Sequence, residues 1–138
     1  MRTERGDRIG AADLYGILRL RSEVFVVEQQ CVFLDIDGAD VLPTTTHLWT
    51  VDDAIGDTVA CARVLAEGNV IGRVVTAATH RRQGIGAAIV KAALDLAGRP
   101  AHANAQSHLA GWYAQFGFAV GGEEFIEDGI PHLPLVAR

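Results

Sequence analysis

Apolar positions along the chain change period several times, and each change marks an element. Leu14, Ile17, Leu18, Arg21, Val24 and Phe25 recur at three- and four-residue spacing, which predicts a first helix near residues 12–23. Residues 26–46 lose that period and carry Gly38, Pro43 and a threonine run. They read as a long, partly irregular crossing segment, and such a segment is a natural functional loop. Strands are expected near 47–52, 58–66 and 69–77, separated by turn residues at Asp52-Asp53, Gly56-Asp57 and Gly68-Asn69, which makes an antiparallel meander. After Gly84 the period returns to that of a helix, with Ile85, Ile89, Ala92 and Leu96 on one stripe, and Gly98-Arg99-Pro100 stops it. A short strand, Ala101–Ala105, comes next; Gln106-Ser107 then leads into a helix whose stripe is Leu109, Trp112, Tyr113 and Phe116, closed by Gly117. Two final strands flank Glu127-Asp128-Gly129, and Pro131 and Pro134 predict that the last is an edge or irregular strand. Before the first helix only Arg8-Ile9 hints at a strand. The order predicts one mixed α/β sheet with helices on both faces.

Composition narrows the setting. A chain of 138 residues, 49% hydrophobic and 21% charged, is expected to form one domain over residues 1–138 with an ordinary core. No apolar run nears the length of a membrane span and the N-terminus shows no signal core, so neither membrane nor export is expected. A net charge of −5 argues against nonspecific nucleic-acid binding and leans toward a cationic substrate, leaving a local basic patch at residues 80–82. Cys31 and Cys61 lie in no metal-like or redox-like spacing, and the five histidines show no ligand spacing; two reduced thiols in a cytoplasmic protein without a metal is the expectation.

The segment Val70–Val90 carries the most chemistry. A β-branched strand runs into a basic loop and then a Gly-x-Gly turn that opens an alanine-rich helix. Free N–H groups and the helix dipole there suit a phosphate, and Arg81 and Arg82 add mobile counter-charge. A P-loop is excluded because no Lys-Ser/Thr follows the second glycine. A dinucleotide fingerprint is excluded because residue 89 is isoleucine and no acidic residue closes a second strand about 20 residues on. Arg81-Arg82-Gln83-Gly84-Ile85-Gly86 instead resembles the Arg/Gln-x-x-Gly-x-Gly/Ala diphosphate motif of the GCN5-related N-acetyltransferases (GNAT), and Tyr113-Ala114-Gln115-Phe116-Gly117-Phe118 resembles that family's Tyr-x-x-x-Gly-Phe. Val24–Gln29, Asp35-Ile36-Asp37-Gly38 and Asp128–His132 resemble its ElaA-like branch.

The resemblance, covering roughly residues 12–138, implies a mostly antiparallel central sheet splayed at a cofactor cleft. It implies acetyl-CoA as cosubstrate, with Val74, Val75 and Thr76 bonding the pantetheine amides and the N–H of Val74 or Val75 polarising the thioester carbonyl. Arg82, Gln83, Gly84, Ile85, Gly86 and Ala87 would wrap the diphosphate. The chain departs from the family pattern at Gln106, where an asparagine is common, and at Ala101, where some relatives carry a glutamate, so no general base transfers.

Acetyl transfer to an amine needs a neutral amine, alignment, oxyanion stabilisation and a proton for the departing thiolate. Tyr113 suits the last role, since a phenol near pKa 10 stays protonated until charge builds on sulfur; by spacing alone it could equally be a core aromatic. Glu28, Asp37, His47, His108 and His132 are candidates for the general base because each could sit in the substrate half, with bulk water as the alternative, and Glu28, Asp37, His47 and His132 are candidates for binding the substrate. Glu28, Asp35, Asp37 and Asp40 form an acidic group that is either a solvated loop or an attractor for an ammonium. The expected function is acetyl transfer to a primary amine, of a small molecule or peptide, by direct attack in a ternary complex. The alternative is a non-catalytic acetyl-CoA-binding sensor. A homodimer through edge strands near the C-terminus is a further expectation.

Overall fold

β-Branched residues and alternation build eight strands in the computed structural model, which describes all of residues 1–138: β1 (Arg2–Arg5), β2 (Thr45–Asp52), β3 (Asp57–Leu65), β4 (Val70–Thr76), β5 (Ala101–Gln106), β6 (Phe118–Val120), β7 (Phe125–Glu127) and β8 (Ile130–Ala137). They form one sheet in the order β1-β2-β3-β4-β5-β8-β6, with β7 also beside β8. Every pairing is antiparallel except β4 with β5. Three helices accompany it: α1 (Ala11–Arg21), α2 (Ile85–Ala97) and the short α3 (Ala110–Ala114).

The two-residue period of the strands divides the core between two faces. On one face Ile17, Leu20 and Val24 pack on Trp49, Cys61 and Val75. On the other, Val90, Ala93 and Leu94 of α2 pack on Leu48, Val64, Ile71 and the alanines of β5, while Ile89 seats on Ala60 and Ala62. The small residues let α2 lie close to the sheet. Each buried Val, Leu or Ile contributes about 1.5–3 kcal/mol of transfer free energy.

Four expectations need correction. The first helix does not stop near residue 23; α1 continues as a π-helix over Ser22–Glu28, which sequence preference disfavours because Val24, Val26 and Val27 are β-branched. Tertiary contact holds it, since Val24 is buried in the first core cluster. The N-terminal strand is Arg2–Arg5, not Arg8-Ile9; it is a polar edge strand without alternation, so no periodicity betrays it. β6 was not foreseen at all, being three residues long. The last strand is not an edge: β8 pairs with β5 from Ala101↔Ala137 to Gln106↔His132, and with β6 and β7 on its other side. Its proline is tolerated for a local reason. Pro134 O accepts from Gly121 N–H at 2.8 Å, so the missing N–H also points to that side, where β6 has ended and β7 has not begun. No helix is long and apolar enough to cross a membrane.

Candidate active site

β4 and β5 run parallel but pair only where they begin. Val70 faces His102, and the His102 N–H donates to Asn69 O at 2.9 Å. Beyond that point β4 stays with β3 and β5 with β8, and the sheet opens into a wedge. The resulting cleft, of about 830 Å³, is lined on one side by Ile71–Thr76 and on the other by Asn104, Ala105 and Gln106. The Ala77 N–H donates to Val59 O at 2.8 Å and Val75 faces Cys61, so the backbone groups of Val75 and Ala77 point to β3. Alternation therefore turns the N–H groups of Val74 and Thr76 into the gap. Of the two residues weighed for carbonyl polarisation, it is Val74 whose N–H faces the cleft.

At the C-terminal end of β4 the chain turns into α2. Gly84 is left-handed (φ 78°), as is Arg82 (φ 65°), and no side chain caps the helix. The first helical bond runs from Ala88 N–H to Gly84 O at 3.0 Å, which leaves the N–H groups of Ile85, Gly86 and Ala87 without helical partners. A Cβ on Gly86 would stand 3.0 Å from Thr76 Oγ1, so a side chain there would wedge the helix tip away from β4. Arg81 and Arg82 line the same mouth. These donors, with the positive end of a four-turn helix, fit a diphosphate.

Tyr113 enters the cleft from α3. Its ring is only 7% exposed and packs edge-to-face on Trp112 and Phe118, with centroids 4.9 and 5.6 Å apart. Burial alone acts on its hydroxyl, which is pushed up to about 12. The remaining wall comes from the π-helix and the segment after it: Phe25, Glu28, Gln29, Cys31, Phe33 and Leu34.

Similar proteins share this architecture. The sequence profile of the acetyltransferase (GNAT) domain matches residues 39–138. A UPF0039 protein of Mycobacterium tuberculosis is 40% identical, over 97% of this chain and 93% of its own. Protein ElaA of Escherichia coli is 36% identical over 92% and 88%. Among solved structures, an acyl-CoA N-acyltransferase from Pseudomonas aeruginosa superposes with a TM-score of 0.91 at 37% identity, covering 99% of this chain and 97% of that one. The crystal structure of Escherichia coli ElaA gives 0.91 at 32% identity, with the same coverage. The chain belongs to the GNAT acetyltransferase family.

Within this GNAT domain, of the ElaA-like branch, the sequence candidates separate cleanly. Val74, Val75, Thr76, Arg81, Arg82, Gly84, Ile85, Gly86, Ala87, Gln106 and Tyr113 all line the one cleft; Gln83 lies in the loop between them but is not part of the lining. Gln106 donates from Nε2 to Gln29 Oε1 at 3.1 Å, bridging the two walls. Glu28 lines the cleft too, but its carboxylate takes a two-pronged ion pair with Arg81 at 2.7 and 2.9 Å, and the hydrogen bond holds its pKa below the usual range. His108 and His132 also line the cleft, with His132 stacked on Phe125. The Nδ1 of His132 lies 2.7 Å from Ile130 O; a carbonyl only accepts, so Nδ1 carries a proton, and Nε2, which holds the lone pair of the neutral ring, lies 3.6 Å from Glu127 Oε2.

His47 and Asp37 do not join them. His47 is fully buried beneath the crossing segment, its Nε2 donating to Asp40 O at 2.8 Å, and desolvation lowers its pKa. Asp37 is held by Arg63 at 2.6 and 2.9 Å. The acidic group is thus paired with arginines throughout, Asp35 and Asp40 buried, Glu28 and Asp37 exposed. Arg21, completely buried, reaches Asp35 at 2.9 Å and Asp40 at 2.6 Å, and Arg63 reaches Asp40 at 3.0 Å. Burial opposes ionisation of Asp40, but the hydrogen bonds and charges of Arg21 and Arg63 outweigh it and lower its pKa. Arg21 at an apolar helical position was the one sequence sign of this network. Arg73, Phe33 and Leu34 carried no sign of cleft residues; Trp112 was visible as part of the α3 stripe. No three His, Cys, Asp or Glu side chains gather as a metal site requires.

Proposed function

We propose that this chain is a cytoplasmic N-acetyltransferase that moves the acetyl group of acetyl-CoA to a primary amine, of a small molecule or peptide, by direct attack in a ternary complex. The observation that carries this is the wedge between β4 and β5, which offers the Val74 N–H, the α2 tip and the Tyr113 hydroxyl to one elongated ligand. Acetyl-CoA, when bound, supplies a thioester whose carbonyl carbon accepts the amine. Gly84–Ala87, with Arg81 and Arg82, hold its diphosphate, and the Val74–Thr76 edge receives the pantetheine arm. The Val74 N–H stabilises the negative charge that grows on the carbonyl oxygen as the N–C bond forms. His132 Nε2 removes the amine's surplus proton. Tyr113 donates its proton to sulfur as the C–S bond breaks; the dry surroundings that raise the phenol also raise the basicity of a thiolate, which keeps the transfer matched.

Thiol release with a panel of amines, run beside calorimetry with acetyl-CoA, tests the reading. Release dependent on both substrates supports it. Binding without release for any amine would make the protein an acetyl-CoA sensor, and no binding at all would end both readings. His132→Gln should lower kcat while acetyl-CoA still binds as in wild type; an unchanged kcat would remove His132 from the reaction.

A further inference from the structure

The Asp35-Ile36-Asp37-Gly38 segment plays no part in the reaction above, yet it grips β4 beside the carbonyl-polarising N–H. Along β3 and β4 the register slips by one: Cys61 faces Val75 while Arg63 faces Gly72, so Arg73 and Val74 together oppose Ala62. This is a β-bulge, and its first residue, Arg73, is left-handed (φ 51°) in the middle of a strand. Glycine would occupy that conformation without strain; an arginine there needs outside support. The extra residue puts Ile71 and Val74 on the α2 face and Val75 on the α1 face. Arg73 is turned toward the crossing segment. Its Nε lies 2.7 Å from Asp35 Oδ1, an ion pair whose N–H is not aligned as a hydrogen bond. Its Nη2 donates to Asp35 O at 3.1 Å and lies 3.5 Å from Asp37 Oδ2, and its guanidinium sits 5.9 Å from the Phe33 ring centre. Asp35 and Asp37 are themselves fixed by Arg21 and Arg63.

We infer that Arg73 is a positioning residue: clamped by Asp35 and Asp37, it holds the bulge that aims the Val74 N–H at the acyl carbonyl, and ties the Phe33–Leu34 wall of the acceptor half to the same point. The inference rests on the acetyl-CoA reading. The consequence is geometric. Loss of the bulge shifts the register by one, and such a shift exchanges the edge each N–H faces, turning Val74 from the gap toward β3. Arg73 touches neither reacting atom; it acts through the backbone.

Arg73→Ala deletes the clamp but keeps a Cβ at φ 51°, so the left-handed conformation loses its support. The carbonyl stretch of acetyl-CoA labelled with ¹³C at the thioester carbon reads the hydrogen bond directly in infrared difference spectra. With the clamp gone, acetyl-CoA should still bind, since residues 81–87 are untouched. Its carbonyl band should move up toward the free frequency, and kcat should fall about 10- to 100-fold through misalignment. Arg73→Lys, which keeps the charge but not the fork, should recover part of both. A band and a kcat equal to wild type in folded Arg73→Ala overturn the inference. If that variant does not fold, Arg73→Gln takes its place: a shifted band with lowered kcat supports the inference, and wild-type values overturn it. A wild type that takes up no acetyl-CoA overturns the parent reading, and this one with it.

Discussion

Replacing Tyr113 by phenylalanine removes one oxygen from the cleft and almost nothing else. The ring keeps its edge-to-face contacts with Trp112 and Phe118, and burial is the only influence on the hydroxyl, so no protein hydrogen bond is lost. Stability should therefore change by less than about 1 kcal/mol, the range expected where no buried partner is orphaned. Chemistry should respond differently. A positioned general acid contributes about 10²–10⁴ in rate, equivalent to about 3–5 kcal/mol of barrier. Single-turnover acetyl transfer, with enzyme in excess over acetyl-CoA and amine saturating, isolates that step from product release. The variant should bind acetyl-CoA as wild type does and transfer at least a hundredfold more slowly. Because burial pushes the phenol up to about 12, wild type should keep its acid form throughout the working range and show no alkaline limb from Tyr113 below about pH 10. A transfer rate equal to wild type would refute the assignment. Loss of rate together with loss of acetyl-CoA binding would make Tyr113 a ligand contact instead.

Gly84→Val forces a β-branched residue to φ 78° and should raise the KM for acetyl-CoA about tenfold or more while leaving that for the amine near wild type; equal KM values would exclude the α2 tip as the diphosphate site. Arg21→Leu orphans part of a buried ion network, although Asp35 keeps Arg73 and Asp40 keeps Arg63, so the cost should be about 3 kcal/mol, or roughly 10 °C in Tm by calorimetry. Arg19→Leu, which breaks an exposed i,i+4 pair with Glu23, should cost under about 0.5 kcal/mol, and equal losses would refute the distinction. His47 is buried and its folded pKa lies below its unfolded one, so the unfolded chain takes up the proton first. The stability that neutral His47 confers is whole above the unfolded value near 6.5 and declines as pH falls toward the folded one. His47→Gln, which can keep a donor toward Asp40 O, should flatten the Tm profile between about pH 7 and 5; an unaltered slope would show that other groups cause it.

What could be read without coordinates follows from local physics. The meander strands, α2 with its Gly98 stop and the Leu109–Phe116 stripe are legible because side-chain period and turn residues act over a few positions. Gly84-x-Gly86 is legible for the same reason, since backbone handedness and a close approach admit few residue types. The Gly84-x-Gly86 end of the cleft therefore stood out in the chain itself, and Tyr113 through the family resemblance. The wall built from the π-helix and the segment after it did not. The π-helix at Ser22–Glu28 is a β-branched run that only packing on Trp49 and Val75 makes helical, and β1 is four polar residues that only an edge position makes a strand.

The acidic group shows the division most plainly. Four carboxylates within thirteen residues carry no record of their partners, because Arg21, Arg63, Arg73 and Arg81 come from α1, β3, β4 and the loop before α2, up to 53 positions away. Sequence by itself determined the sheet-and-helix architecture and the Gly-x-Gly turn that opens α2, both set by interactions among near neighbours. Only the tertiary structure decided that Asp37 is tied to Arg63 and His47 is buried, both outside the cleft lining, that Val74 and not Val75 turns its N–H into the gap, and that β4 and β5 part after a single pair. Each of those depends on which distant strand or charge lies alongside, and no local preference records that.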